Sequence, residues 1–211
     1  MPSADQMPRK NSRKPTRSES DLHGNAPDRS NAVLILVDVI NDLDFPNNRE
    51  LVRGSRRLAK SIARLKLRCK RVGIPVVYVN DNYGKWRSDF SAVLKHSVRE
   101  GSPGREMVRL LAPEPDDYII LKPKHSAFYA SPLETILAYI GARNVIVSGL
   151  TTNACVSLTV ADLYVREFKI FVPQDCVQAL NSTDHRRALQ LMKTSYGANT
   201  IVSSRIPLSR L

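Results

Sequence analysis

Three residues that could together carry out hydrolytic chemistry stand at the ends of three separate apolar runs. Asp38 follows "AVLILV", Lys122 ends "DYIILK", and Cys155 lies a few residues beyond "NVIVSGL". A thiol can attack a carbonyl carbon, a carboxylate can move the proton, and a lysine can stabilise negative charge. If the fold brings the three side chains together, they form a candidate site for nucleophilic acyl transfer.

The elements that must position these residues alternate along the chain. Nearly continuous apolar runs, typical of strands covered on both faces, occupy 32–38, 74–80, 117–123, 144–150, 168–173 and 199–204. Candidate helices lie between them near 50–71, 89–111, 132–141, 153–166 and 183–196. This alternation predicts an α/β fold with a mainly parallel, doubly wound sheet.

In a doubly wound sheet, ligands bind outside the carboxyl ends of the strands, where Asp38, Lys122 and Cys155 are all placed. Each has an ordinary alternative: a core-filling cysteine, a turn-forming aspartate, a solvated lysine. Their shared position favours the catalytic interpretation.

The local sequence around the cysteine also suits this chemistry. Cys155 is expected in the first turn of a helix, where the helix dipole should make its thiol ionise more readily than a free one. Asp38 would act as general base and acid. The small, polar run "GLTTNAC" suits a tight turn whose backbone N–H groups form an oxyanion hole.

Composition bounds the class of protein. The chain has 211 residues, 42% of them hydrophobic, which is enough to bury one full core. It contains no apolar run long enough to span a bilayer and no signal-peptide pattern, so a soluble, cytoplasmic protein is expected. Three distant cysteines, Cys69, Cys155 and Cys176, indicate neither a disulfide framework nor a zinc knuckle.

The chain has two regions that differ in amino-acid composition and hydrophobic pattern. Residues 1–31 are rich in Pro, Ser, Arg and Asn with few large aliphatic residues, which predicts a disordered basic tail. Residues 32–211 carry the alternating pattern and are predicted to form a single domain.

Three segments, in order, resemble the motifs of the isochorismatase-like cysteine hydrolases, a family that includes nicotinamidases and N-carbamoylsarcosine amidohydrolases. "LILVDVINDL" resembles the family's opening I-D-x-Q-N-D-F, with Ile40 in place of Gln and Leu43 in place of Phe. "LKPKHSAFYASPLETIL" resembles the second motif, whose lysine stands four residues before Ser-Ala-Phe, at Lys122. "VIVSGLTTNACVSLTVADLYV" resembles the third, with the nucleophile at Cys155.

The resemblance covers about 32–204 and implies a six-stranded, Rossmann-like three-layer sandwich with a triad of Asp38, Lys122 and Cys155. It implies a cysteine hydrolase that cleaves an amide-type C–N bond of a small molecule through a thioester. It also implies a non-proline cis peptide at Leu150–Thr151, with the N–H groups of Thr151 and Cys155 as the oxyanion hole. Since members often form homo-oligomers, at least a dimer is expected.

The chain also departs from its subfamilies. Nicotinamidases of this group hold a metal through an Asp-x-His pair after the second strand, but "VNDNYGKWRSDF" (79–90) has Asp81 and no histidine. No metal or cofactor is therefore expected. Isochorismatases proper lack the cysteine, so Cys155 favours acyl chemistry. The candidates for the substrate pocket, each of which could instead be simple core, are Asn80, Tyr83, Trp86, Phe128 and Tyr129.

Charge supplies a rival hypothesis. The net charge is +12, and residues 49–71 hold ten basic residues against Glu50 alone, on an amphipathic helical pattern. A catalytically weak or inactive family member could use this basic helix to bind nucleic acid or an anionic surface. A solvated basic face is the favoured interpretation, because no nucleic-acid motif accompanies it.

Overall fold

The computed structural model describes residues 28–211. Of the predicted tail, residues 1–27 lie outside the described residues. Residues 28–31 contact the domain: Ser30 N–H donates to the Ile140 carbonyl at 3.1 Å, and the Asn31 carbonyl accepts the N–H groups of Arg143 and Asn144, each at 2.9 Å. No helix between residues 28 and 211 is long and apolar enough to cross a membrane.

The centre of the fold is a six-stranded, entirely parallel sheet, which confirms the predicted fold class. Its strands run in the order β3-β2-β1-β4-β5, and the short β6 pairs with the end of β4. The strands are β1 (Ala32–Val37), β2 (Val76–Asp81), β3 (Tyr118–Lys122), β4 (Asn144–Leu150), β5 (Lys169–Phe171) and β6 (Val177–Gln178).

Helices cover both faces of the sheet. They are α1 (Arg49–Arg71), α2 (Phe90–Ser97), α3 (Arg105–Leu110), α4 (Leu133–Ile140), α5 (Ser157–Val165) and α6 (Ser182–Ser195). One buried cluster joins the sheet to α1, α2 and α3, and a second joins it to α4, α5 and α6. Every residue of β1 and β4 is buried, as the continuous apolar runs predicted.

Three elements differ from the sequence prediction. The short β6 lies outside every predicted strand. The single helix predicted over 89–111 is two helices, α2 and α3. Between them Gly104 approaches the Asn41 carbonyl so closely that a Cβ would lie 2.0 Å from its oxygen. The strand predicted over 199–204 is one β-bridge from Asn199 to Phe171, because the Asn199 side chain accepts the Ile201 N–H at 3.1 Å and turns the chain.

Strand register brings the carboxyl ends to one edge. Val37 at the end of β1 pairs with Val79 on β2 and with Gly149 on β4, while Asp81 pairs with Lys122 at the end of β3. Gly149 has φ +113°, and a Cβ there would lie 2.0 Å from the Val37 carbonyl oxygen. Only glycine permits this close contact between the two central strands.

Candidate active site

Asp38 is the first residue beyond β1 and has a left-handed backbone, with φ +52°. Asp tolerates this conformation better than most residues, and such outliers concentrate at functional sites. Its Oδ1 accepts the Asp81 N–H at 2.7 Å, and its Oδ2 lies 3.0 Å from Lys122 Nζ. Burial raises the pKa of the Asp38 carboxyl, and the nearby Lys122 ammonium opposes this shift only in part.

Lys122 is the last residue of β3 and its side chain is completely buried. Besides Asp38, its Nζ lies 3.5 Å from Asp81 Oδ2 and 3.8 Å from Cys155 Sγ. Burial by itself would lower the pKa of Lys122, but the Asp38 carboxylate and its other neighbours more than compensate and raise it. The side chain is therefore a buried ammonium that joins the carboxylate to the thiol.

Cys155 lies in a π-helical turn, Thr152–Val156, that connects β4 to α5. Its carbonyl accepts the hydroxyl of the buried Thr159 at 2.7 Å, and the same hydroxyl oxygen accepts the Ala127 N–H at 3.0 Å. This one side chain therefore connects the turn that contains Cys155 to the loop that follows Lys122.

The expectation that the Cys155 thiol ionises easily is wrong. Burial and the nearby Asp38 carboxylate raise its pKa to about 12, and Lys122 offsets them only in part. Two carboxylates, Asp38 and Asp81, surround the single ammonium of Lys122, so the cluster already carries excess negative charge. A helix dipole lowers the pKa of a thiol, but here the burial of Cys155 and the negative charge of its neighbours have the larger effect and raise it.

The peptide bond between Leu150 and Thr151 is cis, as the resemblance implied. Beyond it, the N–H groups of Ala154 and Val156 both donate to the Thr151 carbonyl, at 3.1 and 3.2 Å. The assignment of the Thr151 and Cys155 N–H groups as an oxyanion hole stays a prediction.

The five predicted pocket residues occupy different environments. Asn80 is fully buried and hydrogen-bonds both backbone groups of Ile40, at 3.0 and 2.9 Å, so its amide anchors the chain after Asp38. The Tyr83 hydroxyl donates to the same carbonyl at 3.2 Å. Trp86 and Tyr129 are mostly exposed. Their role as pocket residues stays a prediction.

The fifth candidate, Phe128, is buried, and the Arg166 guanidinium lies over its ring at 4.5 Å. This ring belongs to the core cluster that packs against α5, and one of its faces is covered by Arg166. Its place in the substrate pocket likewise stays a prediction.

His125 was missed by the sequence reasoning. Its Nδ1 lies 3.7 Å from Cys155 Sγ, and its side chain is exposed, unlike the buried Asp38 and Lys122. A lone histidine with no partner at a recognisable spacing gives no signal by itself. The only available indication was its position three residues after Lys122, in a loop at the carboxyl end of β3.

A groove of about 920 Å³ lies between α1 and the start of α6, where Arg53, Arg57, Gln178 and His185 contribute to its lining. Asp38, Lys122 and Cys155 are not among its lining residues. One of its lining residues, His185, contacts the turn that contains Cys155: His185 Nδ1 lies 2.9 Å from the hydroxyl of Thr152.

The basic helix, α1, uses several of its cations inside the protein. Lys66 and Lys70 pair with Asp117, at 2.6 and 2.9 Å, and Arg68 donates to two carbonyls near the C-terminus. Arg56 pairs with Glu106 at 2.8 Å on the surface. Four of the ten basic side chains are thus engaged within the domain, which leaves less charge for an external polyanion.

Among the described residues, one cluster could offer three ligands to a metal ion: Glu114, Asp116 and Asp117. It precedes β3, at the opposite end of that strand from Lys122, and the Lys70 ammonium lies within 2.9 Å of all three carboxylates. Lys66 and Lys70 therefore already offset most of the charge of this acidic group.

Comparisons with known proteins agree with the fold. Residues 32–204 match the model of the isochorismatase domain. An uncharacterised isochorismatase family protein, YaaI of Bacillus subtilis, is 33% identical over 78% of this chain and 90% of its own length. The ureidoacrylate amidohydrolase RutB of Methylobacterium radiotolerans is 28% identical over 82% of this chain and 77% of its own.

A solved structure, the N-carbamoylsarcosine amidase of Thermoplasma acidophilum, superposes with a TM-score of 0.64 at 26% identity, covering 84% of this chain and 99% of that one. The fold and the matched domain define the class: a hydrolase with a parallel α/β fold. The chain belongs to the isochorismatase family.

Proposed function

We propose that the protein is a cysteine hydrolase that cleaves an amide-type C–N bond of a small molecule through a thioester on Cys155. The observation that carries the proposal is the convergence of Asp38, Lys122 and Cys155 from three strand ends, with Lys122 Nζ 3.0 Å from the carboxylate and 3.8 Å from the sulfur. An acid–base group, a cation and a nucleophile at these distances meet the requirements of covalent catalysis.

In the acylation step, Cys155 Sγ attacks the substrate carbonyl carbon. Because the thiol is protonated at rest, it must lose its proton as it attacks, and Asp38 accepts that proton. The raised pKa of the Asp38 carboxyl makes it a better acceptor than an exposed aspartate. Lys122 offsets the negative charge that develops on sulfur, and the N–H groups of Thr151 and Cys155 stabilise the carbonyl oxygen.

Collapse of the tetrahedral intermediate breaks the C–N bond, and Asp38 returns its proton to the departing nitrogen. Water then hydrolyses the thioester to a carboxylic or carbamic acid and restores the thiol. The names of two relatives, ureidoacrylate amidohydrolase and N-carbamoylsarcosine amidase, support ureido and carbamoyl compounds as the first substrates to test.

The test is a screen of amides, ureides and carbamoyl compounds for release of the amine, with mass spectrometry of Cys155 for a trapped acyl adduct. Cys155→Ala should abolish turnover and leave the melting temperature nearly unchanged, because a half-buried side chain is replaced by a smaller one. Cys155→Ser should also be nearly inactive, since Asp38 is a weak base for a hydroxyl group. Full turnover by Cys155→Ala would refute the nucleophile.

A further inference from the structure

We propose that His125 is the general base that activates water in the second half of the reaction, the hydrolysis of the thioester. The inference rests on the proposed function and divides the work of the site between two groups. Asp38, which is buried, accepts the thiol proton during acylation. His125, which is exposed to solvent, accepts a proton from water during deacylation.

The first argument is the position of the ring. His125 Nδ1 lies 3.7 Å from Cys155 Sγ, and the ring is exposed. The other two neighbours of the sulfur are buried: the Lys122 side chain is completely inaccessible and that of Asp38 is 8% exposed. The hydrolytic water must arrive from solvent, so His125 is the proton acceptor on its path.

The second argument is that Asp38 lies on the inner side of the cluster. Its Oδ1 accepts the Asp81 N–H at 2.7 Å, and its Oδ2 faces Lys122 Nζ at 3.0 Å. These contacts hold the carboxylate inside the protein, whereas water must lose a proton at the outer face of the thioester. A general base has to lie within hydrogen-bond reach of the proton that it removes.

The third argument is the state of the sulfur after acylation. At rest the Cys155 thiol hydrogen-bonds the Asp38 carboxylate, and acylation transfers its proton to the departing amine. The thioester sulfur therefore has no proton to donate, and Nδ1 of His125, 3.7 Å from that sulfur, can accept one from water.

The loop around His125 is held on both sides. Lys122 precedes it at the end of β3, and the two residues that follow it are tied to α5: the Ser126 hydroxyl donates to the Asp162 carboxylate, and the Ala127 N–H donates to the Thr159 hydroxyl at 3.0 Å. The histidine backbone therefore has a fixed position even though its ring is exposed.

The step is balanced as follows. Water oxygen attacks the thioester carbon while Nδ1 of His125 takes one of its protons. The tetrahedral intermediate collapses, the C–S bond breaks, and the departing sulfur takes the proton back from Nδ1. The products are the acid and the Cys155 thiol, with the imidazole neutral again.

The experiment measures deacylation separately from acylation and needs no natural substrate. Wild type, His125→Gln and His125→Phe are acetylated with p-nitrophenyl acetate, the reagent is removed, and loss of the acetyl group from Cys155 is followed by intact mass and peptide mapping. The matched control is His96→Gln, an exposed histidine that contacts Asp42 and Arg99. Melting temperatures show that the variants are folded.

The thioester of both His125 variants should hydrolyse about 10²-fold more slowly than that of wild type, which is the lower end of the effect of one acid–base group. The His96→Gln thioester should hydrolyse at the wild-type rate. Added imidazole should accelerate His125→Gln more than wild type, because it supplies the missing base. Equal hydrolysis in wild type and both His125 variants would overturn the role of His125 and leave the nucleophile intact. If Cys155 takes up no acetyl group in any form, the proposed function fails as well.

Discussion

Replacing Asp38 by Asn should make Cys155 more reactive toward an alkylating reagent and at the same time make the enzyme slower. In the wild type, a thiol with a pKa of about 12 is ionised to the extent of only about 10⁻⁴ at pH 8. After burial, the Asp38 carboxylate is the largest cause of this raised pKa. When Asn replaces Asp38, the Lys122 ammonium faces only one carboxylate, that of Asp81, and the cluster no longer has excess negative charge.

The direction of the change in the pKa of Cys155 follows from the loss of this negative charge. Loss of a neighbouring negative charge stabilises the thiolate and lowers the pKa of Cys155, by about 1–3 units for a group this close. The rate of alkylation by iodoacetamide at pH 8 should therefore rise by about 10-fold to 10³-fold, because it follows the thiolate fraction. Turnover should fall by about 10²–10⁴, since the group that moves the proton is gone.

The assay is the pH dependence of alkylation at Cys155, read by peptide mapping beside the rate of turnover. Cys69 and Cys176 are completely buried and should remain unmodified in the folded protein. Asp42→Asn is the matched control: it makes the same chemical change in a carboxylate that pairs with Arg99 and His96 rather than with Lys122. If Asp38→Asn alkylates no faster than this control, the electrostatic explanation of the thiol's pKa is refuted.

Three further predictions concern the surroundings of the site. Thr159→Val should lower the free energy of unfolding by about 1–3 kcal/mol, measured by urea denaturation, because it leaves the buried Ala127 N–H without its acceptor; Thr159→Ser, which keeps the hydroxyl, should lose less, and equal losses would contradict this. Turnover should survive EDTA, and restoration of lost activity by zinc would show a metal role. Inactive Cys155→Ala protein should not be retained on DNA or RNA at physiological salt, because four cations of α1 already have partners within the domain; retention that weakens steeply with salt would instead favour a binding function.

The placement of the three central residues at one edge of the sheet could be predicted, because all strands of a parallel sheet end at the same edge. Asp38, Lys122 and Cys155 each follow or end an apolar run, and parallel strands bring all such ends to one edge. The condition that the three strands lie close together in the sheet is met by the order β3-β2-β1-β4, which the pattern does not supply. This part of the site is a property of the topology, and the hydrophobic pattern reports topology well.

Features that depend on individual contacts were predicted poorly. The break between α2 and α3 is associated with the close approach of Gly104 to the Asn41 carbonyl, and the lost strand at 199–204 depends on one hydrogen bond of the Asn199 side chain. His125 has no sequence signal because its partner, Cys155, is distant in the chain and close only in the fold. Hydrophobic periodicity contains no information on such contacts.

The thiol's pKa shows most clearly what the sequence could not supply. A cysteine near a helix start with a lysine beside it predicts a stabilised thiolate, but Asp38 and Asp81 both lie against that lysine in the folded protein. The single buried ammonium cannot compensate two carboxylates and a thiolate together. The cluster therefore favours a neutral thiol. In the proposed mechanism the thiolate forms only as it attacks, when a substrate carbonyl accepts the developing charge and Asp38 takes the proton. The reactivity of Cys155 should then depend on a bound substrate rather than on the resting charge of the sulfur.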